Sequence, residues 1–428
     1  MAKVVVVGGG WAGSAAAIAA AKAGADVVML ERTDMLLGTG LVGGIMRNNG
    51  RFTATEEMFA MGGGDLFEVC DQVSRHKNIE FPGHKHANLY DVAKVEPAVR
   101  NRLSQYKNIE FRTLARVRDI HMEGSKITAV VIDETDAIAG DVFIDASGTA
   151  GPQGNCGKYG NGCAMCIYRC PTFGGRVSIA GKAGIKEIIG KKGDGSFGAM
   201  SGSCKLHKDS IRDDIIDTLN KTGVAVVPIP EELRKEDALS KKACQQYALK
   251  EFAENVILLD TGHAKLMTPY YPLDKLRHIP GFENARFEDP YSGGIGNSMR
   301  YIGMCPRDNH LKVKGDVQNL FCAGEKAGLL VGHTEAIVTG TLAGHNAVRF
   351  TLNKPLLEIS PSLAVGDAIA HVNEQMQTDE GLTKKYTFSG SVYFQRMQEK
   401  GLYTTDVNAI RQRVGAAGLS DVFAKPVS

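Results

Sequence analysis

Four of the nine cysteines in this chain fall within one short stretch, NCGKYGNGCAMCIYRCPTFGG (155–175). Cys156, Cys163, Cys166 and Cys170 are spaced C-x6-C-x2-C-x3-C-P. Thiolates this close can converge on a metal centre, pair as a redox couple, or supply one nucleophile. The C-x2-C and C-x3-C-P steps are those of [4Fe–4S] ligand runs, where short loops bring several sulfurs to one cubane, although the x6 gap is longer than usual. Four thiolates also suit a closed tetrahedral zinc site. As free thiols, Cys163, Cys166 and Cys170 are the catalytic candidates, and Arg169 and Arg176 offer the positive field that lowers a thiol pKa. Buried cysteine also packs as a small apolar residue, which is the reading taken for Cys70, Cys204, Cys244 and Cys322. Cys305, before a proline in GMCPRDNH, has a reactive alternative as well.

What such sulfurs can do depends on their neighbours, and the N-terminus points to one. In KVVVVGGGWAGSAAAIAAAKAGADVVMLERT (3–33), residues 4–7 are a β-branched run of the kind found in strands buried on both faces. Gly8, Gly10 and Gly13 follow as G-x-G-x-x-G, then an alanine-rich helix over about 12–23, then a second strand ending at Glu31. The first glycine makes the turn, the second lets backbone approach a pyrophosphate, and the third lets helix pack on strand. The helix N-terminus offers unpaired amides and a positive dipole to the phosphates. Glu31 is placed to accept hydrogen bonds from a ribose. GDGSFG (193–198) also fits the glycine pattern, but with no strand before it and no helix after it, and reads as a loop.

Two further segments extend the site. KITAVVIDETDAIAGDVFIDASGTAG (126–151) reads as a hairpin whose last strand, 142–145, ends in a small-residue turn. VQNLFCAGEKAGLLVGHTEAIVTGTLAGHNAVRF (317–350) reads as a strand, a turn carrying Glu325, and a helix from about His333. They resemble the segments that complete the FAD site of glutathione-reductase-like flavoproteins. That resemblance implies FAD held by Gly8, Gly10, Ala12, Gly13, Glu31, Arg32, Val117, Asp145, Gly148, Gly324, Glu325, Gly332 and Thr334. Glu325 would meet the ribityl chain, and the last helix would aim its N-terminus at the isoalloxazine ring, favouring negative charge on reduced flavin. Thr334 could cap that helix, and His333 could reach the active site. No second complete fingerprint marks a separate NAD(P)H domain.

LDKLRHIPGFENARFEDP (273–290), taken with 319–350 and the N-terminal fingerprint, resembles the glucose-inhibited division protein A family of tRNA-modifying flavoproteins. It is also similar to their shorter relatives, the folate-dependent tRNA uracil methyltransferases. YGNGCAMCIYRCPTF (159–173) sets Tyr159, Gly160 and Gly162 before Cys170-Pro171, similar to the methyltransferases' catalytic Cys-Pro but with different spacing and two added cysteines. Their second cysteine, near the flavin loop, has no counterpart in GTGLVGGIMRNNGR (38–51). The resemblance implies tRNA as an alternative partner and a homodimer as the assembly. NLYDVAKVEPAVRNRLSQYKNIEF (88–111) is similar to a broader group of FAD-dependent oxidoreductases, in which a helix leads into a strand near the adenine.

The 428 residues imply two or three structural units. A net charge of +2 makes no demand for nucleic acid or an anionic membrane. With no cleavable leader, and Lys22 and Asp26 breaking the longest apolar stretch, the expectation is a cytoplasmic protein without a membrane segment, where structural disulfides are rare. The expected fold is α/β. A glutathione-reductase-like FAD-binding Rossmann domain (1–155 and 300–365) encloses an inserted α+β substrate domain carrying the cysteines (156–299). A helical tail (366–428) caps it. Within the insertion, 209–223 and 239–259 read as helical and VAVVPIP (224–230) as a strand. His76, His84 and His86 read as a solvated loop. Arg47 and Arg51 could bind an anionic substrate or lie on a surface loop. The expected function is an FAD-dependent oxidoreductase that moves electrons between flavin and a small substrate or redox partner beside the cysteines. The alternative is tRNA uridine alkylation using Cys170.

Overall fold

The computed structural model describes residues 2–148, 170–200, 204–235, 239, 245–268, 271–288, 299–300 and 302–428. Its centre is a five-stranded parallel sheet in the order 320–322, 142–145, 3–7, 26–30, 109–112. Among the described residues the other sheets are antiparallel. The β-branched run Val4–Val7 is buried because both faces of the sheet are covered.

The helix Trp11–Lys22 is buried from Trp11 to Ala21 on every side, as its lack of a polar face requires. It crosses the helix His333–Thr351 at close range. A side chain on Gly340 would meet the carbonyl of Ala12, and one on Gly344 the carbonyl of Ala16. Glycine facing alanine lets the two helices touch backbone to backbone. The helix Val95–Ser104 leads into the strand Ile109–Arg112 at the sheet edge, as expected for 88–111.

The inserted region builds a four-stranded sheet, 204–206, 264–266, 255–260, 224–228, with the helix Asp213–Thr222 against it. Two differences from the sequence reading stand out. NVILL, read as the end of a helix, belongs to the strand Asn255–Asp260, and among the described residues before it the helical pieces are the 3-10 turn Gln245–Tyr247 and the short helix Lys250–Glu254. The buried register against 224–228 wins over local helix propensity. The histidine segment 74–90 is a hairpin, not a loop, and packs Phe81, Ala87 and Leu89 with Ile45 against Tyr247, Phe252, Ile257 and Met267 of the insertion. Part of the first 155 residues therefore shares a core with the inserted sheet.

The C-terminal helices Ala364–Gln375, Ser391–Glu399 and Val407–Ala416 lie on the flavin domain and put Tyr393, Met397 and Val414 into its core, which Phe423 joins from beyond the last helix. Among the described residues no helix is long and apolar enough to cross a membrane.

Candidate active site

A cleft open to solvent runs along the carboxyl ends of the parallel strands, where ligands of open α/β sheets bind. At one end lie Gly8, Gly10, Ala12, Glu31, Arg32, Val117 and Gly148, and further along Gly324, Glu325, Gly332 and His333. The structure brings these sequence-predicted residues into one wall. Gly13 is not part of the wall. A side chain there would collide with the Gly8 carbonyl, so this glycine lets the helix start directly beneath the turn.

The wall fits a dinucleotide. Gly10 caps the first helix without any side-chain hydrogen bond, no acid sits in the first turn, and a Cβ on Gly10 would meet no protein atom within 4 Å. Uncapped amides facing open space are what a pyrophosphate requires. Glu31 accepts from the amides of Gly9 and Thr33, each at 2.9 Å. A carboxylate has about four acceptor sites, so this one is held rigid with capacity left for ribose hydroxyls. The helix from His333 is likewise capped by a glycine, Gly332, with no side-chain bond.

Two expected contacts are corrected. Asp145 is fully buried behind the wall, where one oxygen accepts from the amide and hydroxyl of Ser147 at 3.1 and 2.7 Å and the other from Ser178. It shapes the Ser147–Gly148 turn and does not face the cleft. Thr334 is buried with its hydroxyl 3.7 Å from the Met46 sulfur and caps nothing, because the helix begins one residue earlier. Beneath the same turns, Asp145, Glu187 and Cys305 gather as a metal would require. The ammonium of Lys326 already occupies that place, hydrogen-bonded to Glu187 and Ser178 and 3.9 Å from Asp145. Burial works against its charge, but Asp145, Cys305 and Glu187 raise its pKa above the usual lysine value.

Of the thiols, Cys156, Cys163 and Cys166 lie outside the described residues, as does Arg169, and only the backbone of Cys170 is described, opening the helix Cys170–Phe173. The chain returns to the cleft just after it. Arg32 donates to the Gly174 carbonyl at 2.5 Å and Arg116 to the Gly175 carbonyl at 2.9 Å. Cys305 is wholly buried, and its contact with Cys322, together with burial, pushes its pKa well up. It is a packing residue, not a reactive one. GDGSFG forms a turn closed by the Lys192 amide on Ser196 and does not line the cleft.

His84, read as solvated, is buried. Its Nε2 donates to the Gln246 carbonyl at 3.0 Å and its Nδ1 accepts from Asn48 at 2.9 Å, and burial drives its pKa down to about 3. The two arginines proposed for anions are both neutralised. Arg47 pairs with Asp71 and Glu56, each at 2.6 Å, which raises its pKa against the opposing effect of burial. Arg51 pairs with Glu335 inside the protein at 3.2 Å.

Sequence reasoning missed the aromatic floor of the cleft. Trp11 lies 6.2 Å from the Tyr90 ring and 5.8 Å from the His333 ring. Tyr90 donates to the Gly40 carbonyl at 3.2 Å and meets His333 Nδ1, also at 3.2 Å. Burial keeps the Tyr90 phenol protonated. The Tyr90 hydroxyl has one proton and two acceptors at equal distance, so the contact fixes the orientation of the His333 ring and not its tautomer. Gly43 permits this, since a side chain there would collide with His333 and the Tyr90 hydroxyl. A tryptophan inside the glycine fingerprint was the signal available for this cluster. Lys265, Tyr247 and Met267 at the far end came from the insertion and carried no motif.

A parallel sheet with this phosphate-binding turn, acid and glycine-capped second helix defines the class: a flavin-dependent enzyme that binds FAD. The model of the family described as glucose inhibited division protein A matches residues 3–259 and 267–355, and the chain belongs to that family. Two crystal structures of GidA from Aquifex aeolicus share the fold. Form II gives a TM-score of 0.66 at 16% identity, covering 97% of this chain and 76% of that one. Form I gives 0.63 at 15%, covering 97% and 78%. A protein of Escherichia coli (strain K12), named probable electron transfer flavoprotein-quinone oxidoreductase YdiS, is 28% identical over 256 residues. The match takes in 54% of this chain and 58% of that relative's length.

Proposed function

We propose that the protein is an FAD-dependent oxidoreductase that passes electrons between its flavin and a small molecule or redox partner admitted beside the inserted sheet. The observation that carries this reading is the continuity of the cleft. It runs from the phosphate-binding turn past Glu325 and His333 onto Tyr247, Lys265 and Met267, so a dinucleotide and a second molecule share one cavity. The Escherichia coli relative named for flavoprotein–quinone electron transfer supports it.

Bound FAD would supply the redox chemistry itself. The chain's own residues bind and orient. The amides of residues 10–12 would hold the pyrophosphate, Glu31 the ribose, and Glu325 the ribityl chain. The N-terminus of His333–Thr351 favours negative charge in front of it. His333, oriented by Tyr90, takes up or returns a proton, and Tyr247 and Met267 exclude water. The spacing of Cys156, Cys163, Cys166 and Cys170 suits a relay of thiols or a [4Fe–4S] cluster. Iron and acid-labile sulfide analysis of anaerobically purified protein separates the two, with about four irons per chain for the cluster and none for thiols.

The test is a visible spectrum followed by photoreduction and reoxidation with a quinone-type dye. Flavin that reduces fully and returns electrons to the dye at catalytic rates is expected. Flavin that exchanges electrons with no small acceptor and no small donor overturns the reading. Family membership favours a second reading, tRNA modification. It requires a mobility shift with tRNA that weakens steeply with salt, and no shift at low salt removes it.

A further inference from the structure

A line of buried polar groups joins two parts of the cleft wall. Glu335, in the first turn of the helix His333–Thr351 and wholly buried, accepts from Arg51 Nε at 3.2 Å. Arg51 Nη1 donates to the side-chain oxygen of Asn48 at 3.3 Å. A guanidinium can only donate, so the amide nitrogen of Asn48 faces the other way, onto His84 Nδ1 at 2.9 Å. At the other side of the ring the Gln246 carbonyl, 3.0 Å from Nε2, can only accept. Nε2 therefore carries the proton and Nδ1 is the acceptor. His84 is 2% exposed, and burial holds its imidazole neutral by driving the pKa down to about 3. Every link thus has one direction. Arg51 and His333 line the cleft at one end of the chain, and Gln246 and Tyr247 at the other.

The turn Gln245–Tyr247 has three residues, and a single helical turn does not hold itself in place. Where it sits is decided by what it packs on. The His84 ring lies 4.8 Å from the Tyr247 ring and 4.7 Å from the Phe81 ring. Gly390 approaches so closely that a side chain there would strike Gln246, and Asn49 ties the neighbouring Ser389 carbonyl to the same chain at 2.8 Å. A hairpin of the flavin domain thus carries the histidine that meets a wall supplied by the insertion. We propose that His84 is a positioning residue for that wall: it sets Gln246 and Tyr247 at a defined place relative to His333, and so governs how tightly the second molecule is held. This rests on the oxidoreductase reading above and names what orders its substrate wall. His84 is not part of the cleft lining, so it acts through Gln246 and Tyr247. A ring that stays neutral acts on binding and leaves proton transfer to His333.

The probe is the dye dichlorophenolindophenol, mixed over a range of concentrations with the photoreduced, FAD-loaded protein while reoxidation of the flavin is followed. The side chain of His84→Asn is too short to reach the Gln246 carbonyl, whereas His84→Gln puts an amide donor where Nε2 stands. His84→Asn is expected to raise the half-saturating dye concentration about tenfold or more, with the limiting rate within about twofold. Bound FAD and its photoreduction should be unchanged, and His84→Gln should recover most of the dye affinity. Unchanged half-saturation in His84→Asn overturns the inference. So does a rise that is equal in His84→Gln, or that comes only with loss of FAD, since a histidine needed merely for folding would behave in that way. If His84→Asn does not fold, spectra of the unaltered holoprotein with isotope-labelled histidine decide. The dye must then shift the signal of the Nε2-protonated ring that His84→Gln removes, and no shift overturns the inference. Flavin that returns electrons to no small acceptor refutes the oxidoreductase reading and the positioning role with it. Reoxidation by the dye with unchanged half-saturation in His84→Asn refutes the positioning role alone.

Discussion

At Gly13 a single methyl group decides whether the first helix can begin beneath the phosphate-binding turn, because a Cβ there would strike the Gly8 carbonyl. Gly13→Ala should therefore cost FAD retention by tenfold or more, on the order of the 1.4 kcal/mol that a tenfold change represents, while far-ultraviolet dichroism changes little. The flavin-to-protein absorbance ratio after gel filtration measures it. Tyr90 tests the proton relay. Tyr90→Phe keeps the ring between Trp11 and His333 but removes the oxygen that His333 Nδ1 meets. Bound FAD should persist, flavin reduction should slow by about tenfold or more, and the limb of the pH–rate profile that reports His333 should move. A uniform fall in rate with an unmoved profile would give Tyr90 a packing role alone.

At the scale of elements, the helix Gly50–Ala60 is joined to the C-terminal region through one carboxylate. Glu57 is buried and accepts from the amides of Ala364 and Val365 at 2.9 and 3.0 Å, at the start of the helix Ala364–Gln375. Burial raises its pKa to about 7, against the pull of those amides and of Arg413. A carboxyl whose folded pKa lies above its unfolded value lends stability at low pH and loses it as pH rises through the folded value. His84 and His345, pushed down by burial to about 3 and about 4, act in the opposite sense, adding stability as pH rises through their unfolded pKa near 6.5. The Glu57 effect is therefore isolated as the stability difference between the native protein and Glu57→Gln, which should fall by about 1 kcal/mol between about pH 6.5 and 8. Urea unfolding of both proteins at the two pH values measures it.

How much of this was legible in the sequence also divides by element. The strand–turn–helix–strand of 3–31 and the turn and helix of 320–351 could be read because a phosphate-binding turn requires glycine at fixed offsets and a buried strand requires a β-branched run. Asp145 was placed in the right element but on the wrong side of it, since spacing locates a turn without saying which oxygen faces inward. The hairpin 74–90 was illegible because its apolar residues are buried by Tyr247, Phe252 and Ile257, about 160 residues further along the chain, and no local alternation announces that. Arg47 looked like an anion site for the same reason: its acids, Asp71 and Glu56, arrive from two other helical stretches.

On the scale of the whole molecule, the tail is part of the flavin domain's core. Phe423 is buried with its amide on the Met61 carbonyl at 2.8 Å, and Val427 reaches the Ala23 carbonyl at 3.1 Å. Removing residues 406–428 would strip Phe423 from beside Met58 and Met61 and Arg413 from beside the Glu57 carboxyl. The truncated protein should melt several degrees lower and release FAD at a lower temperature, followed by flavin fluorescence on heating.

The central sheet takes its outermost strand, 320–322, and the helix that crosses the first one, 333–351, from the far end of the chain. During synthesis, strand 142–145 therefore waits with an open edge while nearly two hundred further residues are made, and unpaired edges recruit other chains. The inserted sheet has a core of its own to fold around in that interval. The cofactor cannot be enclosed until the last third of the protein has emerged, so a captured flavin marks a chain whose translation has passed its final core strand. Ribosomes stalled before that point should carry a polypeptide that is colourless and dependent on chaperones.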